Sequence, residues 1–203
     1  REQSRCGTQK DQDWKFLIHY APFSAKRHQG ARQIPEIAIF GTKLWGRIMK
    51  NLQDALSDDL LGKVEKASRY LGTELNSVHK RRADVDVRLA LIFPDLYDLG
   101  LGNLGLHILY AALNELPWCW AERAYAPAKD MEEKLRERGL PLFANESKDS
   151  LMEMDGLGFT LQSELTYTNI LNIIDLAGIP LRTADRDNSH PLTFAGGPAV
   201  FNP

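Results

Sequence analysis

The segment VRLALIFPDLYDLGLGNLGLHILYAALNEL, residues 87–116, combines an apolar run, a glycine-containing loop and a second apolar run. The first run, residues 87–93, carries one charge and ends before Pro94, which is typical of a parallel strand covered on both faces. The second run, residues 104–116, is apolar almost all round and ends before Pro117, so it predicts a buried helix. Strand, loop and helix in this order form one unit of an open α/β sheet, where ligands bind at the carboxyl ends of the strands.

Three further apolar runs follow this unit, and helical patterns separate them. They predict strands at residues 118–125, 156–161 and 192–195. An exposed, charge-paired helix is expected over residues 130–138, and an amphipathic helix is expected after Ser163. Alternating strands and helices at this spacing predict an α/β fold with a doubly wound parallel sheet.

The chain is expected to divide into three parts. Residues 1–42 are polar and broken, and we expect them to be peripheral or poorly ordered. Residues 43–84 are expected to form a helical extension and connector, with helices at 43–56 and 58–71. Residues 85–203 then form the α/β domain.

The composition narrows the class of protein. A hydrophobic fraction of 43% supports one sizeable core, and a net charge of −2 gives no direct signal for nucleic-acid binding. No apolar run is long enough to predict a membrane span. Cys6 and Cys119 lie far apart, which favours a reducing cytoplasm over a disulfide framework or a zinc site. The chain begins at Arg1 without a signal peptide, so we expect a fragment of a longer protein.

The loop after the first strand has two interpretations. Gly100, Gly102 and Gly105 spell GxGxxG between a strand and a helix, which is the pattern of a nicotinamide or flavin dinucleotide site. The acidic residue of that pattern should end the second strand, whereas Glu122 falls in the middle of it. Asp95, Tyr97 and Gly100 instead spell DxYxxG, which resembles the DxHxxG motif of cobalamin-binding domains.

Two later segments agree with the second interpretation. Thr160 and Gln162 lie in GFTLQ at the end of the third strand, where cobalamin-binding domains place a small hydroxyl residue against the nucleotide tail. Gly196 and Gly197 resemble the glycine pair that lets the backbone approach this tail. A bulky residue such as valine at position 197 is therefore expected to block the ligand while leaving the sheet folded. The same glycines and Thr160 are also compatible with turns, packing and a strand end.

Longer strings resemble the front of a family of radical SAM proteins. They include VEKASRYLGTELNS, PDLYDLGLGNLGLHILY, GFTLQSELTYTNILNIIDLAGIPLRTADRD and FAGGPAVFNP. The resemblance covers residues 64–203 and implies a cobalamin-binding domain followed by a radical SAM barrel. By that resemblance the fold is Rossmann-like, of the flavodoxin and cobalamin-binding type, with strand order 2-1-3-4. It also implies that cobalamin binds here, whereas a four-iron four-sulfur cluster and S-adenosylmethionine bind a C-terminal radical SAM domain, the expected partner of this module.

Two departures from the family pattern limit this expectation. Tyr97 stands where a histidine would bind cobalt, and a phenol stays protonated at neutral pH, so this loop offers no easy cobalt ligand. The CxxxCxxC motif for the cluster and the last strand of the domain are both missing, so no catalysis is expected from this fragment. A dinucleotide-binding oxidoreductase domain and a ligand-free interaction domain remain as alternatives.

Overall fold

A computed structural model describes residue 56 and residues 58–201, and its centre is a sheet of four parallel strands. The strands are β1 (Val87–Leu96), β2 (Cys119–Ala126), β3 (Gly156–Thr160) and β4 (Leu192–Gly196). Their order is β2-β1-β3-β4, with every neighbouring pair parallel. This confirms the predicted α/β class and strand order, and it places β1 inside the sheet. The segment at 1–42 lies outside the described residues, as does the predicted helix at 43–56 except for its last residue.

Short helices connect and precede the strands. They are α1 (Asp58–Leu61), α2 (Tyr97–Gly100), α3 (Leu104–Asn114), α4 (Lys129–Arg138) and α5 (Tyr167–Leu176). Single 3-10 turns occur at Ala67–Tyr70, Arg82–Asp84, Leu151–Glu153, Glu164–Thr166, Thr183–Asp185 and Pro198–Phe201. Gly139 follows α4 with a φ of 60°, a left-handed conformation that glycine adopts without strain.

The sheet separates two apolar clusters because successive strand residues point to opposite faces. On one face, Ala90 and Ile92 of β1 pack in a large cluster with residues of α4 and α5, such as Met131 and Ile173. On the other face, Leu91 packs with residues of α3 and β2. The buried members of this smaller cluster are Leu91, Leu106, Tyr110 and Ala121. Helices therefore cover both faces, as a parallel sheet requires.

The central strand is longer than the sequence predicted. Pro94 was expected to end it, but β1 continues to Leu96 and pairs there with Ala126 of β2. The register shifts between Phe93 and Leu96, so the missing N–H of Pro94 falls at an irregular part of the ladder. Pro94 is fully buried, and its carbonyl oxygen accepts a hydrogen bond of 2.9 Å from Asn169.

The predicted helix over residues 58–71 is wrong in its extent. It is replaced by α1 and, after an interval, the turn Ala67–Tyr70. Tertiary contacts hold the chain in this broken form. The amide of Glu65 donates to the Asp130 carboxylate at 2.6 Å, and the Tyr70 hydroxyl accepts from the amide of Ala128 at 3.0 Å. Tertiary partners thus override a helical pattern in the sequence.

Helix α3 is less buried than its apolar sequence predicted. Leu106 and Tyr110 are buried against the sheet, whereas Leu104 is 70% and Ile108 is 58% exposed. The difference arises because one side of the helix meets the sheet and no described element covers the other side. The apolar run predicted the helix correctly but gave the wrong environment for half of its surface.

Strand β2 carries buried charges that the sequence pattern did not predict. Arg88 of β1 pairs with Glu122 of β2 at 2.5 Å, and both side chains are buried. Arg123 pairs with Glu146 at 2.6 Å, and the amide of Asn145 donates to the Arg123 carbonyl oxygen at 2.7 Å. The loop at residues 143–150 thereby covers the outer edge of β2.

Candidate functional site

An open groove of about 300 Å³ lies between α3 and the carboxyl-terminal halves of the sheet strands. It is lined by Leu91, Asn103, Gly105, Leu106, Leu109, Gly158, Phe159, Thr160, Gln162, Phe194, Ala195, Gly196 and Gly197. Four of the predicted cofactor-binding residues are in this set: Thr160, Gln162, Gly196 and Gly197. The groove also occupies the edge of the sheet where open α/β proteins bind ligands.

The polar end of the groove lies at the strand ends and at the start of α3. Thr160, at the end of β3, contributes a hydroxyl group, and Gln162 contributes an amide. The Asn103 side chain caps α3 by accepting a hydrogen bond of 2.9 Å from the amide of Leu106. The first amides of a helix have no hydrogen-bond partner within the helix. The start of α3 therefore presents N–H donors and the positive end of the helix dipole.

The inner end of the groove is apolar. Its walls include Leu91 of β1, Leu109 of α3 and Phe194 of β4, and Gly158 of β3 lies between the strands that carry Leu91 and Phe194. A Cβ atom on Gly158 would lie 2.7 Å from the ring of Phe194 and 3.6 Å from Leu91. The absence of a side chain at Gly158 thus leaves room for the Phe194 ring.

The glycine pair at the end of β4 has two different roles. Gly197 has a φ of +121°, and a Cβ atom there would lie 2.3 Å from the carbonyl oxygen of Leu161. Glycine is therefore required at position 197 by the backbone conformation, and the expectation that a bulky residue there would leave the sheet undisturbed is wrong. A Cβ atom on Gly196 would meet no atom within 4 Å, so that position faces open space in the groove. The two residues are close together, but Gly196 is the position at which a side chain would enter the groove without disturbing the backbone.

The other three predicted cofactor-binding residues lie outside the groove lining. Asp95 lies near the end of β1, and its carboxylate accepts a hydrogen bond of 2.7 Å from the amide of the next residue, Leu96. A Cβ atom on Gly100 would lie 2.6 Å from the ring of Tyr125 and 2.8 Å from the ring of Phe93, so this glycine serves close packing. The DxYxxG segment thus forms the end of β1 and the short helix α2, whose Gly100 packs against a side chain of β2.

The side chain of Tyr97, the first residue of α2, contacts Glu74 and Tyr125. Its hydroxyl donates to a carboxylate oxygen of Glu74 at 2.8 Å, and its ring meets Tyr125 edge to face at a centroid distance of 5.1 Å. Burial and the Glu74 carboxylate raise the pKa of Tyr97 far above the ordinary value of a phenol. A phenol that stays protonated is a poor cobalt ligand, which agrees with the expectation from the sequence.

The geometry disfavours the dinucleotide interpretation of Gly100, Gly102 and Gly105. The acid of that pattern must reach a ribose, but Glu122 is completely buried and accepts hydrogen bonds from Arg88 and from the amide of Ser147. Gly100 packs against aromatic rings, and only Gly105 of the three lines the groove.

The described lining of the groove offers little for acid–base chemistry. Among the described residues, its lining contains hydroxyl, amide and apolar groups and no charged side chain. Within residues 58–201, Cys119 is a buried free thiol, and no group of three or more His, Cys, Asp or Glu side chains is arranged to hold a metal ion. In the part of the chain that is described, no helix is long and apolar enough to cross a membrane.

Sequence reasoning placed the start of the helix near Asn103 at the site, but it missed the apolar lining of the groove, including Phe194. Asn103 precedes an apolar helix, and its position as a helix cap was available from the sequence. Phe194 carried no such signal, because its place in the groove depends on the pairing of β4 with β3 and on the glycines opposite it.

The comparison with protein families gave one match. Residues 105–203 match the family model described as radical SAM proteins, N-terminal. The match supports a radical SAM protein, as the sequence resemblance predicted. It covers Thr160, Gln162, Gly196 and Gly197, whereas Asp95, Tyr97 and Gly100 precede it. Comparisons with curated proteins and with solved structures found no match.

Proposed function

We propose that this chain is the N-terminal module of a radical SAM enzyme and that its groove receives the nucleotide tail of cobalamin. The observation that carries the proposal is the convergence of Thr160, Gln162 and Gly196 on one groove at the carboxyl edge of a 2-1-3-4 parallel sheet. Thr160 ends β3, Gln162 follows it and Gly196 ends β4, so the ends of two separate strands contribute to the groove. The family match over residues 105–203 supports the radical SAM part of the proposal.

The groove residues fit a nucleotide tail. The open space at Gly196 leaves room for the ligand beside the protein backbone. Thr160 and Gln162 offer hydrogen bonds to ring or amide nitrogens of the tail. The amides at the start of α3 and its positive dipole end suit the tail's phosphate. Cobalamin would supply an alkyl-transfer or radical centre, while these residues bind and orient its tail.

The residues near Tyr97 do not fit a cobalt ligand. Tyr97 is hydrogen-bonded to Glu74, and the Asp95 carboxylate accepts from the Leu96 amide. In the proposed complex the cobalt therefore has no ligand from the DxYxxG segment. The four-iron four-sulfur cluster and S-adenosylmethionine of the proposed enzyme are assigned to a C-terminal radical SAM domain, which is the proposed partner of this module.

The test is retention of cobalamin absorbance when the protein passes through gel filtration. Gly196→Val should abolish retention without unfolding the sheet, because its side chain would enter open groove space. Gly102→Val is the matched control, since position 102 also has no atom within 4 Å but does not line the groove. Tyr97→Phe should retain cobalamin, because Tyr97 lies outside the groove lining.

Each alternative has a distinct outcome in this experiment. Retention of a dinucleotide that Gly102→Val abolishes would restore the GxGxxG interpretation. Equal cobalamin retention by the wild type and Gly196→Val would reject this groove as the site.

A second candidate function is a ligand-free module that docks another domain. The exposed apolar surface of α3, with Leu104 at 70% and Ile108 at 58% exposure, favours it. A wild-type protein that retains neither cobalamin nor a dinucleotide would support this candidate.

A further inference from the structure

The ring of Phe194, on β4, lies over the neighbouring strand β3. Phe194 pairs in register with Gly158 of β3, and its ring extends over that strand. A Cβ atom on Gly156 would lie 3.3 Å from the ring, and one on Gly158 would lie 2.7 Å from it. Both distances are too short for an alanine without displacement of the ring. Two positions of β3 thus lack side chains where the aromatic ring lies.

The same ring remains open on its other side. Phe194 is 45% exposed although it belongs to the apolar wall of the groove. Leu91 and Leu109 line the same inner end, and Thr160 and Gln162 lie at the polar end. A ligand in this groove would contact an aromatic surface and aliphatic walls at the inner end and hydrogen-bonding groups at the outer end.

We infer that Phe194 is the stacking surface for a planar heteroaromatic ring of the ligand. Aromatic faces bind such rings by offset or edge contacts, and amide and hydroxyl groups read the polar edge of the ring. The inference rests on the proposed function and extends it by naming the chemical class bound at the inner end of the groove. In cobalamin the ring is the base of the nucleotide tail.

The distinction to be tested is between an aromatic surface and simple apolar packing. Phe194→Leu keeps an apolar side chain but removes the ring, and Phe194→Tyr keeps the ring. Leu192→Ala is the matched control, because Leu192 lies two residues earlier on the same strand, is 70% exposed and does not line the groove.

The experiment titrates the protein with 5,6-dimethylbenzimidazole and, separately, with adenosine, and it follows the Phe194 ring protons by NMR. A stacked ligand ring should shift these protons upfield in the wild type. Phe194→Leu should weaken binding about tenfold, whereas Phe194→Tyr and Leu192→Ala should bind like the wild type. Cobalamin and cobinamide, which lacks the nucleotide tail, are compared in the same proteins, and Phe194→Leu should weaken only cobalamin.

The outcomes separate the inference from the proposed function. Equal binding of both heteroaromatic probes by the wild type and Phe194→Leu, or no ring-proton shift in the wild type, overturns the inference. Cobalamin retention that persists in that case leaves the proposed function standing. Stacking of 5,6-dimethylbenzimidazole together with no retention of cobalamin supports the inference and overturns the proposed function.

Discussion

The two outer strands of the sheet differ in whether their outer edges are covered by other described residues of the chain. Along β2, the loop at residues 143–150 bonds to Arg123, and the Lys80 ammonium donates to three backbone carbonyl oxygens between residues 114 and 119. Along β4, no strand within residues 58–201 pairs with the outer edge, and the sequence LTFAG carries no charge. The closed edge of the sheet is held by buried charges, and the open edge contributes Phe194 and Gly196 to the groove.

The closed edge depends most on the ion pair between Arg88 and Glu122. Replacing Glu122 by alanine should destabilise the protein by about 3 kcal/mol or more, because Arg88 would remain buried without its closest partner. Urea unfolding at neutral pH measures this loss. Leu192→Ser on the open edge is the control and should change the free energy of unfolding by less than about 0.5 kcal/mol. Equal losses in both variants would contradict the contrast between the edges.

The glycine pair on the open edge should separate stability from binding. Gly197→Ala should cost about 2 kcal/mol, because alanine is strained at a φ of +121° and would contact the Leu161 backbone. Gly196→Ala should change stability by less than about 0.5 kcal/mol, since that position is open. Thermal unfolding of the two variants checks the difference. A Gly197→Ala protein as stable as the wild type would show that the backbone can relax, and Gly197 would return as a candidate ligand contact.

A smaller effect is expected at Glu74, which ties the connector to the closed edge. Its carboxylate accepts from Tyr97 at 2.8 Å and pairs with Arg123 at 2.8 Å. Burial acts to raise the pKa of Glu74, but the Tyr97, Ser77 and Arg123 contacts together lower it below its ordinary value of 4.5. Glu74→Gln should cost about 1 to 2 kcal/mol at neutral pH.

The pH dependence of this loss has a defined sign. Because the folded-state pKa is lowered, the unfolded chain binds the proton more readily, so the contribution of Glu74 is complete above pH 4.5 and is lost as the pH falls through the folded-state pKa. The difference in unfolding free energy between wild type and Glu74→Gln should therefore shrink on acidification. Glu133→Gln, at an exposed position of α4, is the control for the loss of one carboxylate. If the difference in unfolding free energy between wild type and Glu74→Gln stays constant with pH, Glu74 stabilises the protein through packing and not through its charge.

The sequence predicted the strands of the sheet better than it predicted the burial and tertiary contacts of the elements around them. The apolar runs gave all four strands within a few residues, because a buried parallel strand has to be short, apolar and bounded by turn residues. The helix at residues 58–71 was wrong because its interruption depends on Asp130 and Ala128, which lie some sixty residues away in the chain. Pattern alone has no access to such partners.

The residues of the candidate site were also predicted only in part. The end of β3 and the glycine pair at the end of β4 meet in one groove because all strands of a parallel sheet end at the same edge. The family resemblance selected these residues, and this rule placed them together. The motif at Asp95, Tyr97 and Gly100 lies at the same edge but packs against Tyr125 and Glu74. Its resemblance to a ligand-binding motif could not show which way these side chains turn.

The sequence by itself predicted the four parallel strands, because buried parallel strands are short apolar runs bounded by turn residues. The strand order and the similarity to radical SAM proteins were implied by the longer strings that resemble that family. Tertiary structure alone decided which of two adjacent glycines faces open space and which strand edge is closed by buried charges. It also decided that Phe194 lies over two glycines of the neighbouring strand. The physical reason is that these features arise from contacts between residues far apart in the chain, and their energies depend on distances that no local pattern encodes.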